Sequence, residues 1–237
     1  MLQIVEELQT EIQTLDFGGL ANLKEYKTEA QKKREKWEKS KLGYFSGSSI
    51  SRLCGYETKK ELPDGAFSYI SEKVYERIFS EKYNEIFETE DILRGRNYES
   101  VAIAELEKET KISFSFINED QKFFKKHGFG ATPDGVSRQY TVEIKCPRFV
   151  NHNAFKRMTK GEDLKKVSKE YWYQVQSQML VTGKKKSIFC SYYINEKTGF
   201  TDLFWIIIDQ CEKTQAFILE RVKMALEEFE KQLKTYA

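Results

Sequence analysis

The chain has few prolines, few cysteines and no long apolar run among its 237 residues. Only three prolines occur, and no Pro- or Gly-rich stretch marks a linker, which favours one domain over two. No segment approaches the roughly 20 apolar residues that a membrane-spanning helix needs. The N-terminus also lacks the basic and apolar regions of a signal peptide. These absences predict a soluble cytoplasmic protein with no membrane partner.

The cysteines argue against a metal centre that is held by thiolates. They lie far apart in the chain, at Cys54, Cys146, Cys190 and Cys211. No two of them have the CxxC spacing of zinc ligands, and His127 and His152 do not complete a zinc pattern. We therefore expect reduced thiols, as in an intracellular protein.

The charge of the chain is nearly balanced, with a formal net charge of +2. A bulk attraction to polyanions is therefore not indicated. The basic residues are nevertheless concentrated in three stretches, 32–41, 156–169 and 184–186. Such clusters are either solvated surface or local grooves that follow phosphates, and the sequence alone leaves both interpretations open.

Several segments have the apolar spacing of helices. The first carries Val5, Leu8, Ile12 and Leu15 and ends at Gly18-Gly19. Further helices are predicted over about 20–37, 66–86, 91–109, 170–181 and 218–233. Residues 43–51 form a small-residue turn that leads into a helix, with a serine available as N-cap.

Short alternating or β-branched segments predict strands at 112–117, 129–131, 141–145, 187–194 and 203–208. Helices before, between and after these strands indicate an α/β fold, with a small central sheet flanked by helices.

Two acidic residues and a lysine lie near one predicted turn. Asp134 stands between Pro133 and a glycine, and Glu143 and Lys145 are two apart in a strand, so their side chains leave the same face. If the flanking strands pair as a hairpin, Asp134 and Glu143 meet. Paired carboxylates repel each other unless a hard cation such as Mg²⁺ neutralises them. The alternative is a turn aspartate beside an exposed Glu–Lys pair.

A third carboxylate, Glu99, shares a helical stripe with Ala102, Ile103 and Leu106. That stripe is the inward one, and a buried glutamate is costly unless it is paired or binds a metal. Under the other interpretation, Glu99 stands near the start of its helix, where a carboxylate is favourable.

Gln174 and Gln178 lie four residues apart, on one face of the predicted helix 170–181. This polar face either binds water or phosphate near the carboxylates or is an ordinary solvated face.

Taken together, five segments resemble the PD-(D/E)xK nucleases, in the lambda-exonuclease-like branch that includes the YqaJ viral recombinases. In the family's order they are WEKSKLGYFSGSSISRL at 37–53, LRGRNYES at 93–100, GATPDGV at 130–136, VEIKCP at 142–147 and YWYQVQSQMLVTGKKKSIFCSYY at 171–193. The resemblance implies a restriction-endonuclease-like core, in which a central mixed sheet is flanked by helices and carries metals at its edge. It divides the chain into an N-terminal helical extension, 1–36, and one exonuclease domain, 37–237.

The resemblance also implies roles for individual residues. Asp134 and Glu143 match the acidic metal ligands, the carbonyl of Ile144 supplies a further oxygen, and Glu99 helps to organise the metal site. Lys145 matches the lysine that positions or deprotonates the attacking water, and Gln174 matches a glutamine near the reaction centre. The implied cofactor is Mg²⁺, as two ions, with Mn²⁺ able to substitute.

The segment KLGYFSGSS matches the part of the family that grips the 5′ end of DNA. Lys41 and Ser48 fall where the family has an arginine and a serine around the terminal phosphate. Lysine provides a point charge instead of a bidentate fork, which weakens the case for 5′-phosphate selectivity. Arg52, one helical turn beyond Ser48, is a candidate to compensate.

The implied activity is a 5′→3′ exonuclease that acts on double-stranded DNA ends and leaves 3′ overhangs for phage-type recombination. The family works in bacterial or phage-infected cells with a single-strand annealing protein, and some members form trimeric rings. Alternatives are a PD-(D/E)xK nuclease of other polarity or of endonucleolytic action, restriction-like or CRISPR-adaptation type, and a catalytically silent DNA-binding module. Asp134, Glu143 and Lys145 argue against the silent module, because phosphate binding does not require carboxylates.

Overall fold

The computed structural model describes residues 27–83 and 89–236. The apolar stripe from Val5 to Leu15, and with it most of the predicted N-terminal extension, lies outside the described residues. The helices are α1 (Glu29–Lys41), α2 (Asp64–Phe79), α3 (Glu90–Thr110), α4 (Phe149–Lys156), α5 (Leu164–Val167), α6 (Lys169–Thr182) and α7 (Glu212–Leu233). The strands are β1 (Phe45–Ser46), β2 (Phe124–Lys126), β3 (Phe129–Ala131), β4 (Gly135–Val136), β5 (Tyr140–Lys145), β6 (Lys186–Asn195) and β7 (Phe200–Asp209).

The strands form two sheets. In the larger one the order is β4-β5-β6-β7, with β5 and β6 parallel and both edge pairs antiparallel. The smaller sheet has the order β1-β3-β2, with β1 parallel and β2 antiparallel to β3. A short 3₁₀ helix, Gly47–Arg52, follows β1. The predicted mixed sheet flanked by helices is therefore confirmed.

Apolar clusters cover both faces of the larger sheet. On one face, Val142 and Ile144 of β5 pack with Ile103 and Leu106 of α3. On the other face, Phe189 of β6 belongs to the main core, which α2, α6 and α7 complete. Because side chains alternate along a strand, Glu143 and Lys145 leave β5 towards α6, opposite to Val142 and Ile144.

The prediction of a strand over 112–117 is wrong. This segment makes only an isolated bridge, in which Ser115 pairs with Val136. Phe116 adopts a positive φ of 61°, which interrupts extended backbone, and the N–H of Phe114 donates to the Glu107 carboxylate instead of to a strand.

Strand β5 forms its hairpin with a different strand from the one predicted. Residues 129–131 do form a strand, β3, but it belongs to the smaller sheet. The antiparallel neighbour of β5 is β4, where Gly135 lies opposite Val142. Asp134 still reaches β5, because its N–H donates to the carbonyl of Val142 at 3.0 Å.

The long helices were predicted well, but their ends and the short elements were not. Helices α3 and α6 match their predictions closely, whereas α7 begins earlier than predicted, at Glu212, and α2 ends at Phe79, where Ser80 adopts left-handed backbone with φ 56°. The predicted 20–37 helix begins, within the described residues, at Glu29, where Thr28 and Gln31 form a capping box. The small-residue turn leads into a 3₁₀ helix and not an α-helix, and α4 and α5 were not predicted.

The four cysteines are free thiols, as expected. None of the helices in 27–83 and 89–236 is both long enough and apolar enough to cross a membrane.

Candidate active site

Strand β5 places Glu143 under helix α6. The Glu143 side chain is only 1% exposed. Its Oε1 accepts a hydrogen bond from Gln174 Nε2 at 2.7 Å, and its Oε2 accepts one from Gln178 Nε2. The ammonium of Lys145 lies 2.5 Å from Oε1. The buried Glu143 carboxylate thus has a hydrogen-bond donor or a cation at each of its two oxygens.

Asp134 lies on the turn between β3 and β4, beside the same end of β5. Its Oδ2 accepts a hydrogen bond from the main-chain N–H of Ile144 at 2.7 Å. Burial, with the charges of Glu143 and Glu99, raises the pKa of Asp134 well above its usual value. Asp134, Glu143 and Glu99 therefore lie close enough for their negative charges to repel one another.

Glu99 approaches this centre from α3. Its neighbours on the inward stripe, Ala102 and Ile103, are buried, as predicted, and Glu99 is itself half-buried. Burial and the charge of Glu143 raise the pKa of Glu99, and its Oε1 accepts a hydrogen bond from Gln121 at 3.1 Å. The structure therefore brings together the three carboxylates that the sequence placed far apart.

Lys145 is the cation of the centre. Burial alone would lower the pKa of its ammonium, but the charges of Glu143 and Asp134 outweigh this, and the pKa is raised. The ammonium also lies 4.6 Å from the centre of the Tyr171 ring. The raised pKa favours the ammonium form of Lys145, which can donate hydrogen bonds.

The donor set fits a hard divalent cation. No group of three or more His, Cys, Asp or Glu side chains in 27–83 and 89–236 is arranged to hold a metal ion. Two carboxylates and a main-chain carbonyl are nevertheless the oxygen ligands that Mg²⁺ prefers. Their repulsion, visible in the raised pKa values of Asp134 and Glu99, is what a cation would relieve.

The sequence segment that contains Lys41 and Ser48 lies against the strand that leads to Asp134. Strand β1 pairs with β3, where Ser46 lies opposite Gly130, and the indole N–H of Trp37 donates to the Thr132 hydroxyl at 3.2 Å. A Cβ at Gly47 would lie 2.7 Å from the Ala131 side chain, so only glycine permits this approach.

Lys41 lies over the Trp37 ring, 3.2 Å from the ring centre. Burial and the neighbouring cations, Lys82, Lys73 and Arg34, lower the pKa of Lys41 to about 8. A lysine in such surroundings gains stability from an added anion.

Ser48 and Arg52 have different surroundings. The Ser48 hydroxyl is exposed and lies 3.2 Å from that of Ser46. The guanidinium of Arg52 makes two hydrogen bonds of 2.8 Å to Glu72 and lies over the Tyr69 ring. Arg52 is thus already paired within the protein.

Gln178 and Gln121 contact the carboxylates without having been predicted to do so individually. The spacing of Gln178, four residues after Gln174, is a signal that the sequence contains. No comparable signal marks Gln121, which reaches Glu99 from an irregular segment. The glutamine face of α6 is buried and not solvated.

The basic stretches are largely paired with acids. Lys165 and Lys169 both contact Glu57, at 3.0 and 3.2 Å, and Lys186 contacts Asp209 at 2.6 Å. These contacts favour the solvated-surface interpretation for the second and third stretches.

The sequence and the fold both have known relatives. The family model of the YqaJ-like viral recombinase domain matches residues 36–185. No curated protein matches the chain.

Solved structures share the fold at low sequence identity. An alkaline exonuclease from Laribacter hongkongensis is 24% identical, with a TM-score of 0.67 over 85% of this chain and 95% of that one. The same exonuclease in complex with dAMP gives a TM-score of 0.66 over the same shares. A phage-related exonuclease from Haemophilus somnus 129PT is 16% identical, with a TM-score of 0.67 over 82% of this chain and 96% of that one.

Proposed function

The chain belongs to the family of the YqaJ-like viral recombinase domain, and from this premise we propose that it is a metal-dependent 5′→3′ exonuclease on double-stranded DNA. Such an enzyme would leave 3′ single-stranded overhangs for phage-type recombination. The observation that supports the proposal is that Asp134, Glu143 and Glu99 lie close enough for their charges to raise the pKa of Asp134 and of Glu99, with Lys145 paired to Glu143.

Three oxygen ligands would hold a divalent ion: the carboxylates of Asp134 and Glu143 and the carbonyl of Ile144. A bound Mg²⁺ lowers the pKa of its water and stabilises charge on the leaving oxygen. Lys145 is the cation beside this site, and its ammonium would orient the attacking water or the phosphate by donating a hydrogen bond. Gln174 would hold Glu143 in place, and Glu99 would organise the water around the ion.

Polarity is proposed from the surroundings of Lys41. The three neighbouring cations and the lowered pKa of Lys41 make this end of α1 favourable for a phosphate group. The contact from Trp37 to Thr132 places α1 beside the turn that holds Asp134. A 5′-phosphate at Lys41 and the exposed hydroxyl of Ser48 would thus lie near the carboxylates. The pairing of Arg52 with Glu72 leaves it a secondary role at this site.

The experiment uses linear duplexes that are labelled at either the 5′ or the 3′ end, with closed circular DNA of the same sequence. We expect Mg²⁺- or Mn²⁺-dependent loss of the 5′-ended strand from linear DNA, no cutting of the circle, and no cleavage in EDTA. 5′-Phosphorylated ends should be degraded faster than 5′-hydroxyl ends.

Other results would replace the proposal. Cutting of the closed circle would favour an endonuclease, and loss of the 3′-ended strand would reverse the polarity. Tight DNA binding without cleavage in either metal would indicate a silent binding module.

Assembly and partners are part of the same proposal. An overhang-producing enzyme supplies single strands to an annealing protein, and a ring of three subunits would keep the enzyme on its duplex. Light scattering of the purified protein measures the subunit number, and co-purification with an annealing protein from the same genome tests the partner.

A further inference from the structure

The side chain of Gln178 connects the two segments that carry Asp134 and Glu143. Its Nε2 donates one hydrogen bond to Glu143 Oε2 and a longer one, 3.4 Å, to the carbonyl of Thr132. Thr132 stands two residues before Asp134 in the chain. One carboxamide therefore links β5 to the turn that leads into Asp134.

Gln178 also limits how the Glu143 carboxylate can turn. Gln174 and Lys145 contact Oε1, and Gln178 contacts Oε2. The terminal torsion of a glutamate is soft, so a carboxylate that is held on one oxygen can rotate. Donors on both oxygens fix its plane. Gln174 and Gln178 can act together because residues four apart lie on the same face of a helix.

We propose that Gln178 is a positioning residue, which sets the orientation of Glu143 and its separation from Asp134 for a divalent cation. This inference rests on the proposed function. Gln178 would touch no reacting atom and would act through the carboxylate alone.

The burial of Gln178 supports a role beyond packing. Gln178 is fully buried, yet its Oε1 has no hydrogen-bond partner among the residues that the structure describes. An unpaired buried acceptor costs stability, and such atoms in native proteins commonly face a bound water or ion. A buried amide with both ends paired leaves no such atom.

Gln176, two residues earlier on the same helix, is such an amide. It is equally buried, its Nε2 donates to the carbonyl of Asp209 at 3.0 Å, and its Oε1 accepts from the N–H of Cys211 at 2.9 Å. Gln176 therefore ties α6 to the end of β7, away from Glu143. It is the matched control for Gln178.

The test measures Mn²⁺ binding to the DNA-free protein by calorimetry, together with thermal unfolding. Gln178→Met keeps the side-chain length but removes the donor. Loss of such a supporting contact typically weakens metal affinity about 10- to 100-fold, and we expect a loss in this range. Gln176→Met should lower Tm to a similar extent and leave Mn²⁺ affinity at the wild-type value.

A second variant covers the case in which Gln178→Met fails to fold. Gln178→Asn keeps a buried amide but is one methylene too short to reach Glu143, so it should show the same loss of Mn²⁺ affinity. Wild-type affinity in the folded Gln178 variants would overturn the inference, and so would an equal loss in Gln176→Met. If the wild type neither binds Mn²⁺ nor cleaves DNA, the proposed function itself fails.

Discussion

The carboxylate centre, formed by Asp134, Glu143 and Glu99, is mainly negative and helix α1 is mainly positive, but the protein holds them in different ways. Glu143 is buried on an interior strand of the larger sheet, beneath α6. Helix α1 has no fully buried residue, although Lys41 at its end is partly buried, and polar contacts attach it, such as Lys33 to Asp120 and Trp37 to Thr132. Packing in the core thus fixes the carboxylate centre, whereas a few surface contacts fix helix α1.

The electrostatic consequences are opposite in sign. In the centre, burial and repulsion raise the pKa values of Asp134 and Glu99. On α1, burial and repulsion lower the pKa of Lys41 to about 8. Each region is destabilised by its own charges, so each should be stabilised by a ligand of opposite charge. The proposed cation site at the carboxylates and the proposed phosphate site at Lys41 therefore lie in regions of opposite charge.

Removal of the Lys145 ammonium from beside the carboxylate centre should have the largest effect. We expect Lys145→Ala to reduce cleavage by about 10²- to 10³-fold, the usual cost of losing a donor that stabilises developing charge. Duplex binding in Ca²⁺ should change little. Cleavage rates under single-turnover conditions test this, with Lys186→Ala, a surface lysine paired with Asp209, as the control. Normal turnover of Lys145→Ala would remove its assigned role.

Neutralising Asp134 should stabilise the metal-free protein while it abolishes activity. The pKa of Asp134 is higher in the folded than in the unfolded state, so its ionisation destabilises the fold as pH rises from the unfolded pKa through the folded one. Asp134→Asn should therefore raise Tm in EDTA at pH 8 by about 2 °C or more, and by less at pH 4. Calorimetric scans at both pH values provide the measurement.

Two further observations would sharpen that result. Mn²⁺ should raise the Tm of the wild type and not that of Asp134→Asn. A lower Tm for the variant at every pH would mean that its hydrogen bond from Ile144 outweighs the repulsion.

The basic region should show a pH-dependent preference for 5′-phosphate. Because the pKa of Lys41 is lowered to about 8, its charge is lost as pH rises through that value in the free protein. The ratio of kcat/KM for phosphorylated over hydroxyl ends, which reports the free enzyme, should therefore fall between pH 7 and 9. Lys41→Arg should keep the preference at pH 9, and Lys41→Ala should lose it, about tenfold, at pH 7. A constant wild-type ratio would exclude Lys41 from the phosphate site.

The smallest effect is expected at Arg52. Its guanidinium is partly exposed and already paired with Glu72, and such pairs contribute about 0.2–1 kcal/mol. Arg52→Ala should lower the free energy of unfolding by that amount and leave the 5′-phosphate preference almost intact. Urea unfolding and the end-preference assay check this. A loss of preference as large as that of Lys41→Ala would show that Arg52 leaves Glu72 to bind the phosphate.

The sequence by itself determined which residues share a face and which segments form the long helices. The two-residue spacing of Glu143 and Lys145 and the helical spacing from Glu99 to Leu106 depend only on backbone geometry, so they could be read from the sequence. The resemblance to a nuclease family rested instead on five segments in the family's order. The motifs also identified the family before the fold was known.

Only the tertiary structure decided which segments meet. Sequence spacing is silent about distant partners, so it missed that β5 pairs with β4 and β6, and that 112–117 stays irregular. Sequence spacing also missed that Gln178 donates a hydrogen bond to Glu143 and that Arg52 is paired with Glu72. Long-range packing sets these contacts, because burial of the two apolar faces of the sheet brings α3 and α6 to the same strand end, and the charges converge there as a result.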